Sequence, residues 1–318
     1  MRQPVCRRFS FFVAVVVVTN VVGSWVEPVA AIDIEHVRSS GGIEAWLVRD
    51  HTVPIISMSF SFSGAAALDP PGKEGLADMV SSLLDEGAGE LDSEGFQGAL
   101  EDISASISFD AGREYFGGSL KTLSRHRNIA FRLLKLALTK PRFDAKPIDR
   151  IRAQLIASLM KEQENPRRVA RQTWYRTVFP GHPYGNPVAG TSDSVTAIRR
   201  ADLQRFAAER FGLDNLLIGV VGDIMPDELG DRLDEVFAGL AAWSFPVCVA
   251  EVQPHGTGKL VIVRKPIPQS VVVFGQRGVK RNDKDYYAAY VMNYILGGGG
   301  FSSRLMEEIR KKRGLAYS

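Results

Sequence analysis

Asn293–Ser318 reads NYILGGGGFSSRLMEEIRKKRGLAYS. The four glycines Gly297, Gly298, Gly299 and Gly300 form a loop that can take φ values closed to other residues. A helix is predicted to follow, because Leu305, Met306 and Ile309 fall on one face and Glu307, Glu308, Lys311 and Lys312 on the other. The basic run Arg310–Arg313 suits the negative end of the helix dipole, and Gly314 is placed to cap it. Leu315, Ala316 and Tyr317 then turn extended. A loop, a capped helix and a short strand thus hold the guanidinium of Arg310 and the phenol of Tyr317 seven residues apart. An isolated pair at that spacing would be a solvated helix and a core tyrosine. The glycines and the Ser-Ser-Arg-Leu before it give the pair its context.

Outward from this stretch, 318 residues suggest two domains of ordinary size, and 45% hydrophobic with 24% charged residues describe a globular protein with ample core. The formal charge of +3 comes mainly from the first 31 residues, where Arg2, Arg7 and Arg8 face only Glu27. The remainder holds 36 basic and 35 acidic residues, which gives no case for nucleic acid as partner. Residues 1–31 read as an export signal: Arg7 and Arg8, an apolar run from Phe11 to Val18, and small residues at Val29-Ala30-Ala31. Thr19, Asn20 and Gly23 break that run below the roughly 20 residues a membrane helix needs, so no stable span is expected after cleavage. An exported, periplasmic location follows. Cys6 lies in the signal, which leaves Cys248 alone, with no internal disulfide.

Strands are predicted at Ile43–Val48, Ile55–Phe62, Ala105–Asp110, Tyr115–Leu120 and Leu216–Val221, the last as a fully buried strand. Helices are predicted over Leu76–Leu84, from a Ser93 cap to Ile103, over Arg127–Thr139, from Pro147 to Asn165, and over Val169–Val178, Ala201–Phe211 and Pro226–Phe237. The first domain is therefore read as residues 32–245. Residues 246–258 read as a linker. Residues 259–318 read as the start of a second domain, with strands at Leu260–Arg264 and Ser270–Gly275 and a helix over Asp285–Leu296. The class is α+β: two related α/β-sandwich domains, helices packed on a mostly antiparallel sheet, the second domain incomplete.

The C-terminal pattern resembles the second-domain motif of the pitrilysin/insulinase-type inverted zinc proteases, which include the mitochondrial processing peptidases. Lys73-Glu74-Gly75-Leu76-Ala77 resembles the lead-in to that family's H-x-x-E-H helix, and His182-Pro-Tyr-Gly with Gly190-Thr191 is also similar. The resemblance covers about Ile43 to the end. In an active member the two histidines bind zinc and the glutamate activates its water. Here Asp78 stands at the first histidine, Ser81 at the glutamate and Ser82 at the second histidine. The count to the family's third ligand lands near Ser158. The resemblance implies that Arg310 and Tyr317 reach the substrate backbone, donating to the oxyanion as its carbonyl is attacked. It also implies that Gly297–Gly300 lets the loop approach the peptide.

The frame without its ligands implies a non-catalytic subunit of a heterodimeric exported zinc protease, with no cofactor on this chain and zinc in a partner subunit of the same family. Two other readings stand beside it. One is a structural or peptide-holding protein without proteolytic role. The other is a metallopeptidase using atypical ligands. No two of His36, His51, His126, His182 and His255 have ligand spacing. Asp78, Asp85 and Glu86 could make a weak oxygen site for a cation, against the plainer reading of an acidic helix end.

Overall fold

The alternation Met58, Phe60, Phe62 against Ser57, Ser59, Ser61 builds the centre of the sheet: the three apolar side chains are buried and Ser57 and Ser59 are exposed. The structure is a computed structural model that describes residues 32–244, 248–256 and 258–317. The export segment expected over 1–31 lies outside the described residues.

In chain order come β1 (Glu35–Arg38), β2 (Glu44–Arg49), β3 (Ile55–Ser63), α1 (Leu76–Ser81), α2 (Ser93–Asp102), β4 (Ser106–Ala111), β5 (Tyr115–Leu123), α3 (Arg127–Thr139), α4 (Ala145–Glu164), α5 (Pro166–Val178), α6 (Ser192–Ala197), α7 (Arg200–Arg210), β6 (Leu216–Gly222), α8 (Pro226–Phe237) and α9 (Tyr286–Asn293). The strands form one six-stranded sheet in the order β1-β2-β6-β3-β5-β4. Only β2 and β6 pair parallel; the other neighbours are antiparallel, as the α+β reading required. Helices α1, α3, α7 and α8 share one core with the buried side of the sheet. Its centre is aromatic. Phe60 meets Phe237 edge-on at 5.6 Å, and Phe211 lies 4.9 Å from Phe62 and 5.1 Å from Phe116.

Several expectations are corrected. β6 is buried on one face only: Ile218 and Val220 point inward, while Leu217 and Val221 stay half exposed because no helix of the described residues covers the outer face. The cap of α2 is Asp92, whose carboxylate accepts the Gly95 N–H at 2.9 Å; Ser93 is the first helical residue. β1 and α6 were too short to carry a pattern. Leu260–Arg264 and Ser270–Gly275 form no strands, because neither run has a neighbouring strand to bond with among the described residues. Leu260, Ile262, Val272 and Phe274 are accordingly exposed. The helix expected to end at Leu296 leaves α geometry after Asn293 and continues as a π turn, Tyr294–Gly298.

β5 carries two adjacent glycines for a steric reason. Gly118 sits directly across from Phe60 in the register, and a Cβ there would lie 2.2 Å from the phenyl ring. The ring fills the space a side chain would take. Gly118→Ala is expected to lower stability by about 1–3 kcal/mol through overpacking. Gly98→Ala, on α2 with nothing near its Cβ, should be neutral or stabilising by about 0.5–1 kcal/mol. Urea unfolding of the two variants beside the parent checks both.

Candidate functional site

The helix on which the resemblance places zinc, α1, is set by its lead-in rather than by its own six residues. Gly75 has φ +96°, and a Cβ on it would come 2.7 Å from the Ala189 carbonyl oxygen. Gly190, at φ +74°, passes so close to Glu74 that a Cβ would lie 1.9 Å from the Glu74 carbonyl oxygen. That oxygen accepts the Ser194 hydroxyl at 2.7 Å. Asp69 closes the other side: its carboxylate accepts the Gly75 N–H at 2.9 Å and the Ala77 N–H at 3.1 Å. It thus satisfies donors that the start of a helix leaves open. Lys73 pairs with Asp202 on α7. The two family-like glycine motifs therefore describe one contact.

On this helix the chemistry is that of carboxyl and hydroxyl groups. Ser81 and Ser82 both turn back on their own helix, donating to the Asp78 carbonyl at 2.8 and 3.0 Å. Neither hydroxyl faces a base, so neither is activated as a nucleophile. Ser158, on α4, is exposed. Burial pushes the Asp78 carboxyl up to about 6, and the negative charge of Glu162 adds to the effect. This donor set does not fit zinc, which takes imidazole, thiolate and carboxylate in tetrahedral array. Among the described residues no three His, Cys, Asp or Glu side chains gather where they could hold a metal ion.

The acidic end of α1 is likewise engaged. Glu86 accepts the Ser93 hydroxyl and pairs with Arg150, while the Gln97 amide donates to the Asp85 backbone carbonyl at 2.9 Å. The histidines have separate partners. His51 meets Asp223 at 2.6 Å, His36 lies 3.5 Å from Glu44, and Arg125 donates to His126 at 3.0 Å. His182 accepts the Tyr184 N–H through Nδ1 and donates from Nε2 to the Ala250 carbonyl at 2.9 Å, which fixes its neutral tautomer. The His-Pro-Tyr-Gly segment is thus a bracket. It ties residue 250 to the loop after α5, and through the Tyr184–Glu114 hydrogen bond it ties in the β4–β5 hairpin.

The C-terminal stretch brings its two marked side chains together. The Arg310 guanidinium lies over the Tyr317 ring at 4.4 Å, and also over the Phe301 ring at 4.8 Å. The helix expected after the glycines begins at Arg304 and is wound as a π turn over Met306–Lys311, with the Lys312 N–H donating to the Glu307 carbonyl. Gly314, at φ +63°, closes it in the left-handed region predicted for a cap. Its N–H donates to the Arg310 carbonyl and that of Leu315 to Ile309. A groove of about 720 Å³ runs along α9, lined by Tyr287, Val291, Met292, Ile295, Leu296 and Arg304. The sequence reading missed Asp69, Glu162 and Phe301. An aspartate six residues ahead of Gly75 and a phenylalanine directly after the glycine run were the available signals.

Asp78 makes a pH dependence that can be measured. Its folded-state value lies above the ordinary carboxyl value, so the folded chain holds this proton more tightly than the unfolded chain. The contribution of Asp78 to stability should therefore fall as pH rises from about 4 to about 6, and stay level above that. Asp78→Asn removes the titration. The variant is expected to match the parent near pH 4 and exceed it by about 2 kcal/mol at pH 8, read from urea midpoints across that range.

Comparison with known proteins agrees with this geometry. A family profile described as the peptidase M16 inactive domain matches residues 197–318. A non-peptidase homologue, YmxG, of Helicobacter pylori is 30% identical over 274 residues, 85% of this chain and 62% of that protein. An uncharacterised zinc protease of Streptomyces coelicolor is 23% identical, over 79% of this chain and 56% of its own length. The chain thus spans about 60% of the length of these curated relatives. Among solved structures, a peptidase M16 inactive domain from Pseudomonas fluorescens superposes with TM-score 0.75 at 26% identity, over 90% of this chain and 69% of that one. Pitrilysin superposes with TM-score 0.62 at 17% identity, over 70% of this chain and 24% of that one, a likeness of fold. Residues 197–318 thus carry the peptidase M16 inactive domain, and the chain as a whole resembles the pitrilysin-type M16 peptidases, with aspartate and serine where the resemblance places the metal ligands.

Proposed function

We propose that this chain is the non-catalytic subunit of a heterodimeric M16 protease, holding peptide for a zinc-bearing partner of the same family. The observation that carries the reading is a contrast within one chain. The α1 frame is intact but offers only carboxyl and hydroxyl groups, while Arg310 and Tyr317 stand in contact at 4.4 Å. Residues 259–318 form the beginning of the second domain in this reading, joined by the linker 246–258. Zinc in the partner would polarise the scissile carbonyl and lower the pKa of its bound water. From this chain, Arg310 would grip the peptide backbone and the Tyr317 hydroxyl would donate to the developing oxyanion.

Two features support a peptide-holding role. β4 is an edge strand packed beside α1, so one row of its backbone groups is open to an added extended peptide. The relatives' names include both a non-peptidase and zinc proteases. We further propose export to the periplasm, which the pattern of residues 1–31 supports. No helix of the described residues is long and apolar enough to cross a membrane.

Co-expression of the full-length chain with a zinc-bearing M16 chain from the same genome tests the reading. The two should co-purify, and an unstructured quenched-fluorescent peptide should be cleaved only by the pair. Arg310→Ala and Tyr317→Phe are each expected to lower turnover by about a hundredfold without loss of co-purification. Unchanged turnover in both would favour the purely structural role; no complex would exclude the subunit assignment. Export predicts an N-terminus at Ile32 in periplasmic extracts, which Edman sequencing or intact mass reads directly.

A further inference from the structure

Among the described residues, Arg310 has no acidic partner on its helix, whereas the three basic residues that follow it do. Lys311 pairs with Glu307 at 2.9 Å, Lys312 pairs with Glu308 at 2.6 Å, and Arg313 reaches Glu308 at 3.0 Å. Both carboxylates of the helix are thereby taken. Arg310 has instead two rings, Tyr317 at 4.4 Å and Phe301 at 4.8 Å, and no side-chain hydrogen bond or ion pair among the described residues. Rings attract a guanidinium through their faces and leave its N–H donors unused. A carboxylate in their place would have occupied those donors.

The glycine loop is what delivers the second ring. Gly299 lies under Tyr294, where a Cβ would come 2.6 Å from the Tyr294 carbonyl oxygen and 3.0 Å from its ring. Gly300 takes φ +68° with open space around it, so the demand there is conformational rather than steric. The chain then makes one tight turn, Gly300–Ser302. Ser303, 3% exposed, locks that turn through its hydroxyl to the Gly300 carbonyl at 2.9 Å. Phe301 is thrown back over the helix at the position Arg310 occupies, on a turn wound as a π helix.

We infer that Phe301 is a positioning residue: it holds the Arg310 guanidinium, together with Tyr317, with its donors free for an incoming peptide carbonyl. The inference rests on the reading of Arg310 as substrate-holding. It gives the glycines a different task from close approach to the peptide, namely folding Phe301 beneath the arginine.

Phenylglyoxal modification, followed residue by residue by mass spectrometry on the full chain, measures how well Arg310 is covered, with Arg313 as internal reference. Phe301→Leu keeps apolar bulk and removes the ring; Phe301→Tyr restores it. Arg310 is expected to react about three- to fivefold faster in Phe301→Leu, with Arg313 unchanged, and to return to the parent rate in Phe301→Tyr. Equal Arg310 rates in parent and Phe301→Leu, with identical circular dichroism, would overturn the assignment. In the reconstituted pair, Phe301→Leu should raise KM for the quenched-fluorescent peptide severalfold, and Phe301→Tyr should restore it. Faster modification with unaltered peptide kinetics would leave the ring contact standing and overturn the substrate-holding role of Arg310.

Discussion

The Glu74 carbonyl is held where a side chain on residue 190 would otherwise be. Only glycine fits at Gly190, and its left-handed backbone lets the two segments pass in contact while the Ser194 hydroxyl satisfies the oxygen between them. From this crossing the start of α1 is fixed, Asp69 closes its first turn, and the helix lies against β4 and α7. A six-residue helix has little stability of its own. Its geometry therefore belongs to the loop that launches it, and that loop is indifferent to which side chains the helix carries.

That independence explains how much was legible before the structure. β3 announced itself through strict alternation, and α3 and α8 through apolar spacing and flanking proline or acidic residues, because each has one face in the core and one in water. β6 misled: its run LLIGVVG suggests burial on both faces, yet among the described residues no helix layer covers the outer side of the sheet. The valine- and isoleucine-rich segments near 262 and 272 had composition for strands, but a strand is a property of a pair, and composition does not reveal a missing neighbour. Within the candidate site, the absence of histidine at Asp78 and Ser82 could be read letter by letter. The inward turn of the serine hydroxyls and the ring under Arg310 could not, since both are set by rotamers and by a left-handed glycine.

The two candidate sites of the chain are built on opposite principles. Around α1 the backbone is locked by glycines that admit no Cβ, and the side chains are chemically mild. The C-terminal stretch contains two π turns, Tyr294–Gly298 and Met306–Lys311, and its ion pairs engage Lys311, Lys312 and Arg313 while Arg310 meets rings instead. π turns recur at functional sites because they turn a side chain away from the α-helical direction. Here the second one carries Arg310.

The lock at Gly190 also says something about ancestry. Because the start of α1 is held by Gly75, Gly190 and Asp69, the residues at positions 78, 81 and 82 could be exchanged without moving that start. A lineage could change the chemistry of this helix in a few codons while keeping the contacts that set where it begins. The same independence works in both directions: the backbone keeps its shape whichever side chains the helix presents.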